Sequence, residues 1–502
     1  MNRLFPIVGL MVLVALSTSG CMMLGPDYQT PTPPIQPDWI EVEDALIETT
    51  PPVTATWWQA AFRDPILDRL VATALAQNLS LRSAGLRVLQ ARQQLMIAIG
   101  NQYPQQQQLG GQGGIESLFS SSSDTLYDLG FNLSWEADVW GRFKRQIESA
   151  SAALDASVAN YDGIMVSLIA EVAQTYLLIR TTQQQLAVAR ANLGYQAESV
   201  RITTAKFEGG EVSALDVDQA QSLFYTTQAS VPGFEQSLQQ FKNALAILLG
   251  QPPYAMNTLL VEPQPIPTVG PDIALGMPQD LIRRRPDIRV AERQLASQSA
   301  QIGFAITDLY PQFGISGAVG TSVSTAEGLH FSDLFRSDTS GYNLFGVFQW
   351  NIFNYGRLKN NVRLQDAIFQ QLLEDYRQTV LLAQGEVENA IVAFLKSAEQ
   401  LDAFQSAADA AQRAVDISTL QYQDGLVNFN TVINTLRSLA AQQDQLAAAK
   451  GTVATNLIEV YKSLGGGWEM REGQTPLDLV PEETREEMLK RGDYWETTFK
   501  KE

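Results

Sequence analysis

The chain contains a long internal repeat. Three segments of its first half recur in the second: Trp135–Arg142 as Trp350–Arg357, Lys206–Val212 as Gln421–Val427, and Tyr103–Gln105 as Tyr310–Gln312. The first two pairs share an offset of 215 residues and the third an offset of 207, which indicates a loop-sized insertion. A repeat this long indicates a duplicated half-domain rather than a short solenoid unit. Each half is predicted to fold as helix, strand pair, long helix, turn and helix, an order that suits few soluble enzymes.

The repeat and the composition divide the 502 residues into five predicted parts. They are a signal peptide at 1–20, a Pro-rich arm at 21–59, a first repeat at 60–266, a second repeat at 267–466 and a charged tail at 467–502. The arm carries seven prolines between residues 22 and 56, so we expect it to be an extended arm along the surface or a linker, and not a core element. The sequence assigns no role to the tail.

The N-terminus has the pattern of a secretory signal that ends at a cysteine. Arg3 precedes an apolar run that is too short to span a bilayer, and Cys21, the only cysteine, follows Ser19-Gly20. This resembles the lipobox of bacterial lipoproteins, in which the cysteine becomes acylated, although Thr18 stands where that pattern prefers Leu. The alternative is an ordinary signal with an incidental cysteine. Met22, rather than Asp, follows the cysteine, and the resemblance then implies the outer membrane.

Charge and residue types exclude several classes of function. The formal charge is −19, or about −20 once Arg3 leaves with the signal, so electrostatics disfavour binding to nucleic acid. One histidine and one cysteine leave no His/Cys metal site, and no cofactor is expected beyond a covalent lipid on Cys21. His330 falls in a Gly/Ser/Thr-rich stretch and is predicted to be a surface loop residue. No catalytic constellation is evident, and an enzyme is not expected.

Period-two alternation predicts two strand pairs. Three series carry it: Leu129 to Trp135, Phe313 to Val319, and Tyr342 to Ile352, while the fourth strand, near Gln106–Ser117, is rich in Gly and Gln. Such strands have two distinct faces. Strands of about ten residues with aromatic ends suit an outer-membrane barrel. A soluble sandwich with one apolar face is the alternative.

A helical segment precedes each strand pair, and a long helical run follows it. Residues 60–100 are predicted to be helical with a break near Asn78, and residues 290–309 are their counterpart. The runs 142–207 and 357–423 each lead through a glycine turn, at Gly209-Gly210 and Gly425, into a return helix at 213–249 and 428–464. These are two antiparallel coiled-coil hairpins, with tips near 208–213 and 423–428. Pro232 is expected to interrupt and kink the first return helix.

Four strands are too few to close a barrel, and an open sheet leaves unsatisfied backbone groups in lipid. If the strands span a membrane, several chains must therefore share one barrel. The sequence thus predicts an α+β membrane protein whose duplicated halves give four β-strands of a shared barrel and long hairpins that form a helical tunnel.

Residues 278–292 (PQDLIRRRPDIRVAE) resemble a signature of the outer-membrane efflux lipoproteins of the TolC superfamily, in the OprM-like branch. The resemblance covers about residues 21–466 and includes the lipobox, the duplication and both hairpins. It implies a homotrimer with a twelve-stranded barrel in the outer membrane and a twelve-helix tunnel across the periplasm. It also implies two partners, a periplasmic membrane-fusion adaptor and an inner-membrane RND-type transporter. Arg283–Arg285 is interpreted as a solvated basic patch at a helix junction.

The resemblance places a constriction at the hairpin tips. It maps the gate-forming region onto Tyr422, Asn430, Asn434 and Arg437. The family commonly has an apolar residue at the position of Asn430 and an aspartate at that of Asn434, so the closed state is expected to be held differently here. On the first hairpin, Asp216 and Asp218 are gate candidates by position. Ser213–Asp216 also fits a capping box, and both roles are compatible.

The function that follows is a passive exit duct for small molecules such as drugs and toxic compounds. One alternative is a periplasmic coiled-coil lipoprotein scaffold that binds partner proteins, and another is the exit duct of a type I secretion system. Extraction only by detergent from outer membranes would favour a duct, whereas a wash-soluble monomer would favour the scaffold.

Overall fold

In the computed structural model the described residues are 22–33, 35–36, 38–40, 47–48, 55–116, 123–256, 260, 262–267, 273–274 and 284–499. The predicted signal peptide, Cys21 and Arg283 lie outside them. The chain folds as two compact units. The first comprises residues 1–32, 87–158 and 290–377, and the second comprises residues 33–86, 159–289 and 378–502.

From the helix that directly precedes each strand pair onward, both halves of the chain have the same order of elements. The first half contains α1 (Trp57–Phe62), α2 (Pro65–Gln77), α3 (Leu79–Gly100), β1 (Gln106–Glu116), β2 (Asp124–Ala137), α4 (Arg142–Glu208) and α5 (Ala214–Leu248). The second contains α6 (Pro286–Thr307), β3 (Gln312–Ser324), β4 (Ser340–Gln349), α7 (Arg357–Gln423) and α8 (Phe429–Ser463). The tail adds α9 (Glu482–Leu489) and α10 (Glu496–Phe499). The predicted helix, strand pair, long helix, turn and helix are confirmed in each half.

The predicted break near Asn78 is confirmed, and the side chain of Asn78 explains it. Its Oδ1 accepts a hydrogen bond from the Leu81 amide at 2.9 Å, which opens α3, and its Nδ2 donates to the Leu248 carbonyl at 2.9 Å. The expected interruption at Pro232 was wrong, because α5 is one continuous helix through that residue. A proline removes only one donor from the ladder of this 35-residue helix, so the rest of the ladder holds the helix together.

Four of the described strands form one antiparallel sheet in the order β1-β2-β3-β4, and a separate two-stranded parallel sheet pairs Ile47–Glu48 with Ile273–Ala274. The two halves of the chain meet at β2 and β3, which pair from Leu126↔Ser324 to Ala137↔Phe313. β4 ends at Gln349, so the predicted strand to Ile352 was too long. Within the described part of the chain, no strand pairs with the outer edges of β1 and β4.

The sheet has one apolar and one polar face. Residues directly opposite in antiparallel strands share a face, so the register assigns each side chain. The apolar face carries Leu109, Ile115, Tyr127, Leu129, Phe131, Leu133, Trp135, Phe313, Ile315, Val319, Val323, Tyr342, Leu344 and Phe348. The polar face carries Gln106, Gln108, Gln112, Asp128, Asn132, Ser134, Ser316, Ser322, Asn343 and Gln349, with Leu126, Phe345 and Val347 as large apolar exceptions. Most of the apolar face is exposed; Tyr342 is 88% exposed.

A row of glycines crosses the polar face. Gly110 pairs with Gly130, Gly130 with Gly320, and Gly320 with Gly341, so all four strands contribute. The row is tightest between the two halves of the chain: a Cβ on Gly320 would lie 2.8 Å from the Leu129 carbonyl oxygen and 2.9 Å from the Gly130 Cα. Glycine at such places permits a close backbone approach and a bend of the sheet.

We expect Gly320→Ala to reduce the yield of folded protein in outer membranes severalfold. The added methyl group meets backbone atoms, which move only if the sheet changes its curvature, and overpacking of this kind costs about 1–3 kcal/mol. The control is Gly341→Ala in the same row, where a Cβ would meet nothing within 4 Å. The heat-modifiable fraction on gels measures both variants. Equal yields would show that the close approach at Gly320 does not set the curvature.

The arm is divided between the units: residues 22–32 belong to the first, whereas Trp39 is buried in the core of the second, so the expectation that the whole arm lies on the surface was wrong. Arg145 of α4, whose side chain is fully buried, donates to the Leu24 carbonyl at 2.9 Å, the Gly25 carbonyl at 3.0 Å and the Asp27 carboxylate at 2.9 Å. Gly303 of α6 makes room for this contact, because a Cβ there would lie 2.7 Å from Arg145 Nε. One buried guanidinium therefore fixes the start of the arm.

The apolar core of the second unit is built from helices of both repeats and of the N-terminal segment. Its largest fully buried side chains include Trp57, Leu67, Tyr176, Leu177, Leu245 and Leu249. Among the described residues, one helix, α4, is long and apolar enough to cross a bilayer, and 61% of its apolar window is buried inside the protein. That burial is typical of a core helix.

Candidate functional site at the hairpin tips

The two tips in the second unit have the same turn. The Glu211 amide donates to the Lys206 carbonyl and the Leu426 amide to the Gln421 carbonyl, each at 2.8 Å and at equivalent repeat positions. Gly210 and Gly425 have φ values of +78° and +75°, a left-handed conformation that glycine adopts without a steric penalty. Gly209 ends the helical ladder by donating to Ala205. These turns close the helices at 208 and 423, at the predicted tips.

The helices that leave the two tips are capped differently. At the first tip, the Ser213 amide and hydroxyl donate to the Asp216 carboxylate at 3.3 and 3.4 Å, so the capping box is present. At the second tip, Asn428 accepts from the Thr431 amide at 3.2 Å. Thr431 is the repeat equivalent of Asp216, which means that only the first tip carries this carboxylate. Asp216 is half-buried, and Asp218 is exposed.

Tyr422 is a core residue of the second tip. It is 5% exposed, its ring centroid lies 5.6 Å from that of Phe429, and Lys206 Nζ of the other hairpin lies 5.2 Å from its ring centre. Burial, and then the carboxylates of Asp216 and Glu211, raise the pKa of the Tyr422 phenol. Its hydroxyl has no hydrogen-bond partner within the described part of the chain.

The repeat equivalent of Tyr422 is Phe207, which is 46% exposed. The difference follows from the next helix, in which Phe429 covers Tyr422 while the smaller Ala214 stands at the matching position of the first tip. Lys206 and Phe429 were not predicted to be part of this site. An alignment of the two repeats contains the signal for Phe429, because it is the position at which the tips differ most in size.

The other gate candidates lie on the exposed side of α8. Asn430, Asn434 and Arg437 follow a spacing of four and three residues, which places them on one helix face, and all three are exposed. The opposite side of α8 packs into the tip core through Val432, Ile433, Leu436 and Leu439. The structure therefore brings Tyr422 and Phe429 together inside the tip and leaves the polar candidates free to meet groups outside the chain.

The basic motif is not a solvated patch, so the prediction was wrong for Arg285. This residue is 8% exposed and donates to Asp287 at 2.7 Å, to Glu386 at 2.7 Å and to the Ser463 carbonyl at 2.9 Å. Burial would lower the pKa of Arg285, but the hydrogen bonds and charges of the two carboxylates outweigh it and raise that pKa. Three satisfied donors explain why a cation is buried here. Arg284 is half-buried.

A second buried ion cluster, which sequence reasoning missed, joins the tail to the helices. The Asp162 side chain is fully buried and accepts from Arg289 Nη1 at 3.1 Å, from Arg471 Nη2 at 3.0 Å and from Arg471 Nε. Arg289 in turn stacks over Trp468, 4.7 Å from the ring centre. Residues of the tail are therefore part of the second unit.

The tail also crosses α3 at a glycine. A Cβ on Gly85 would lie 2.2 Å from the Leu479 carbonyl oxygen, so only glycine allows this approach. Leu477, Leu479, Val480 and Met488 are buried there. The sequence signal for this contact is a glycine inside an otherwise regular helix.

The two-faced sheet and the long hairpins define the fold of an outer-membrane channel of the TolC superfamily. The solved outer-membrane channel OprN has this fold, with a TM-score of 0.82, 30% identity, and coverage of 89% of this chain and 100% of that one. The chain belongs to the outer membrane efflux protein family, which matches residues 70–251 and 277–466.

Two relatives carry informative names. The toluene efflux pump outer membrane protein TtgF of Pseudomonas putida is 30% identical over 482 residues, 92% of this chain and 97% of its own length. The probable outer membrane lipoprotein SilC of Salmonella typhimurium is 29% identical over 468 residues, 91% of this chain and 98% of its own length. The expected family and the outer-membrane location are confirmed, and the members of this family are channel proteins.

Proposed function

We propose that this chain is the exit duct of a tripartite efflux system in the outer membrane. It works as a homotrimer, with one twelve-stranded barrel and a helical tunnel, and conducts small molecules passively without catalysing a reaction. The observation that carries the proposal is a four-stranded sheet with an exposed apolar face and, within the described residues, two unpaired edges.

An apolar sheet face is stable against lipid, but free backbone groups at its edges are not. The two edges complement each other, because the free edge of β4 in one copy can pair with the free edge of β1 in the next copy and so extend the sheet. Such head-to-tail pairing closes into a ring when the rotation per copy fits. Twelve strands, contributed by three copies, give a barrel wide enough to enclose a lumen lined by the polar face. A wash-soluble periplasmic scaffold would have no covering for the apolar face.

The partners follow from the same assignment. A periplasmic adaptor and an inner-membrane RND-type transporter supply the cargo, and the tips are the part of the duct that we expect the adaptor to contact. Three apolar side chains are exposed there: Phe207, Leu215 and Leu426. Apolar groups exposed beside turns suit a protein partner. The name of TtgF specifies toluene for that protein; here the transporter is expected to select the cargo.

We expect native mass spectrometry of the detergent-extracted protein to show three chains. The Ser322 amide bonds to the Thr339 carbonyl, so by alternation along β4 the backbone donor of Phe348 points to the outer edge. Phe348→Pro removes that donor and should lower the trimer yield. Glu483→Ala, in the tail, changes no backbone donor of the sheet and serves as the control that leaves the trimer intact. A stable monomer that still conducts would contradict the homotrimer.

We also expect Cys21 to be the acylated N-terminal residue of the mature protein. The start of the described arm lies beside the end of the sheet, because a Cβ on Gly141, four residues after β2 ends, would lie 2.7 Å from Met23 Cγ. A lipid two residues before Met23 can enter the membrane that the strands cross, and it assists barrel insertion rather than replacing it. Mass spectrometry of the mature N-terminus tests this. An unmodified Cys21, or cleavage elsewhere, contradicts it.

A further inference from the structure

The connection between β3 and β4 folds back onto the sheet instead of extending beyond it. Thr321 of β3 donates through its hydroxyl to the Leu334 carbonyl, and the Thr339 hydroxyl donates to the Asp333 carbonyl at 3.0 Å. The Ser322 amide donates to the Thr339 carbonyl at 3.2 Å. These bonds hold residues 325–339, called the β3–β4 loop below, against the end of β3.

The loop lies on the apolar face. Tyr127 and Val323 are opposite each other in the register and share that face. The Phe331 ring packs edge-on against Tyr127, with centroids 5.1 Å apart. Val323 is 1% and Leu334 4% exposed, whereas Val319, four residues earlier on the same face, is 53% exposed. The loop therefore covers only the last part of the face.

The exposed surface of the loop includes two phenylalanine side chains. Phe331 is 60% and Phe335 78% exposed. The charged groups beside them are paired within the loop: Arg336 donates to Asp338 at 2.8 and 3.1 Å, and Asp333 accepts from the His330 amide at 2.9 Å. His330 itself is exposed, as predicted for a loop residue. With these charges paired, the two exposed phenylalanine rings supply the apolar area of the loop surface.

The distance between the two aromatic ends of the apolar face matches the thickness of the apolar core of a membrane. Phe313 and Phe348 pack together at the opposite end of the apolar face, with centroids 5.5 Å apart. Phe313 and Val323 mark the two ends of the apolar face along β3. At a rise of about 3.3 Å per residue and a strand tilt of about 40° from the barrel axis, the band between them is about 25 Å tall. Aromatic side chains are favoured at both borders of such a band, where the ring meets the headgroups.

We propose that the β3–β4 loop is an interfacial anchor that binds the lipid surface of the outer leaflet through Phe331 and Phe335. It fixes the depth of the sheet in the membrane. The inference rests on the proposed function, because it requires the apolar face to be in lipid.

Single nitroxide labels test it in the full-length protein, reconstituted in vesicles of outer-membrane lipid. Cys21 is the only native cysteine, so the unmodified chain, labelled in parallel, reports any background. Phe335→Cys probes the anchor, Glu327→Cys probes the same loop at an exposed polar position, and Val319→Cys probes the apolar face. Collisions with oxygen report lipid, and collisions with a nickel chelate report water.

The expected result is a severalfold higher oxygen-to-nickel ratio at 335 than at 327, with the highest ratio at 319. A lipid-like label at 319 together with equal, water-like labels at 327 and 335 overturns the anchor and leaves the membrane sheet standing. A water-like label at 319 overturns the membrane sheet, and the anchor with it.

Discussion

Replacing Asp162 with alanine is expected to destabilise the protein by about 3–5 kcal/mol, the usual cost of removing one partner from a buried ion pair. The side chain is fully buried, and its loss leaves the Arg471 and Arg289 guanidiniums without a counter-charge. Burial raises the pKa of Asp162, and the hydrogen bonds and charges of Arg471 and Arg289 offset only part of that rise. Guanidinium unfolding, followed by the loss of helical circular dichroism in detergent, measures the change.

The matched control is Glu483→Ala, which removes an ion pair of the same tail with Arg82. Glu483 is 84% exposed, and surface pairs of this kind contribute about 0–1 kcal/mol. Asp162→Asn keeps the shape and removes the charge, so it should be nearly as destabilising as alanine. If Asp162→Asn unfolds at the same guanidinium concentration as the unmodified protein, the cluster is held by packing and not by charge.

The second large effect concerns the gate. The Tyr422→Ala/Arg437→Ala double variant is expected to conduct more than the unmodified channel in planar bilayers, with unchanged trimer yield. Truncating Tyr422 leaves a cavity under Phe429, and large aromatic truncations cost about 3–5 kcal/mol. Asn430 and Asn434 offer only neutral hydrogen bonds, which contribute about 0.5–1.5 kcal/mol each. Once Tyr422 and Arg437 are truncated, only these weak neutral hydrogen bonds are expected to hold the tips in the closed constriction.

Phe207→Ala is the control, because Phe207 is the repeat equivalent of Tyr422 and is half-exposed. Its truncation removes an aromatic ring at the same depth of the tip without opening a core, and conductance should stay close to that of the unmodified channel. If the double variant and the unmodified channel conduct equally, Tyr422 and Arg437 do not hold the constriction. The capping bonds of Asp216 would then be a sufficient account of that residue.

The tip also shows how duplication produced an asymmetric site. The two turns have the same hydrogen bonds, yet the residue after the cap is Ala214 in one tip and Phe429 in the other. One tip thus gained a packed aromatic pair, and the other an acidic capping box. Three copies of each would alternate around a trimer axis, so the proposed constriction contains two kinds of tip rather than six equal ones.

The sequence by itself determined the features that depend on local periodicity and on the repeat. The alternation in β2 and β3, the glycine turns at 210 and 425, and the break at Asn78 each follow from neighbouring residues, because face, turn and cap are set within a few residues of the chain. The family resemblance added the expected assembly, which neither periodicity nor composition contains.

Only the tertiary structure decided which polar groups are buried. Arg285 was expected in solvent, yet partners 101 and 178 residues away surround it, and Asp162 meets Arg471 across 309 residues. The same holds for Tyr422, whose burial depends on Phe429, and for the tail, whose path depends on the space at Gly85. A charge run or a lone glycine has the same local pattern in water and in a core, because burial is a property of what packs against a residue.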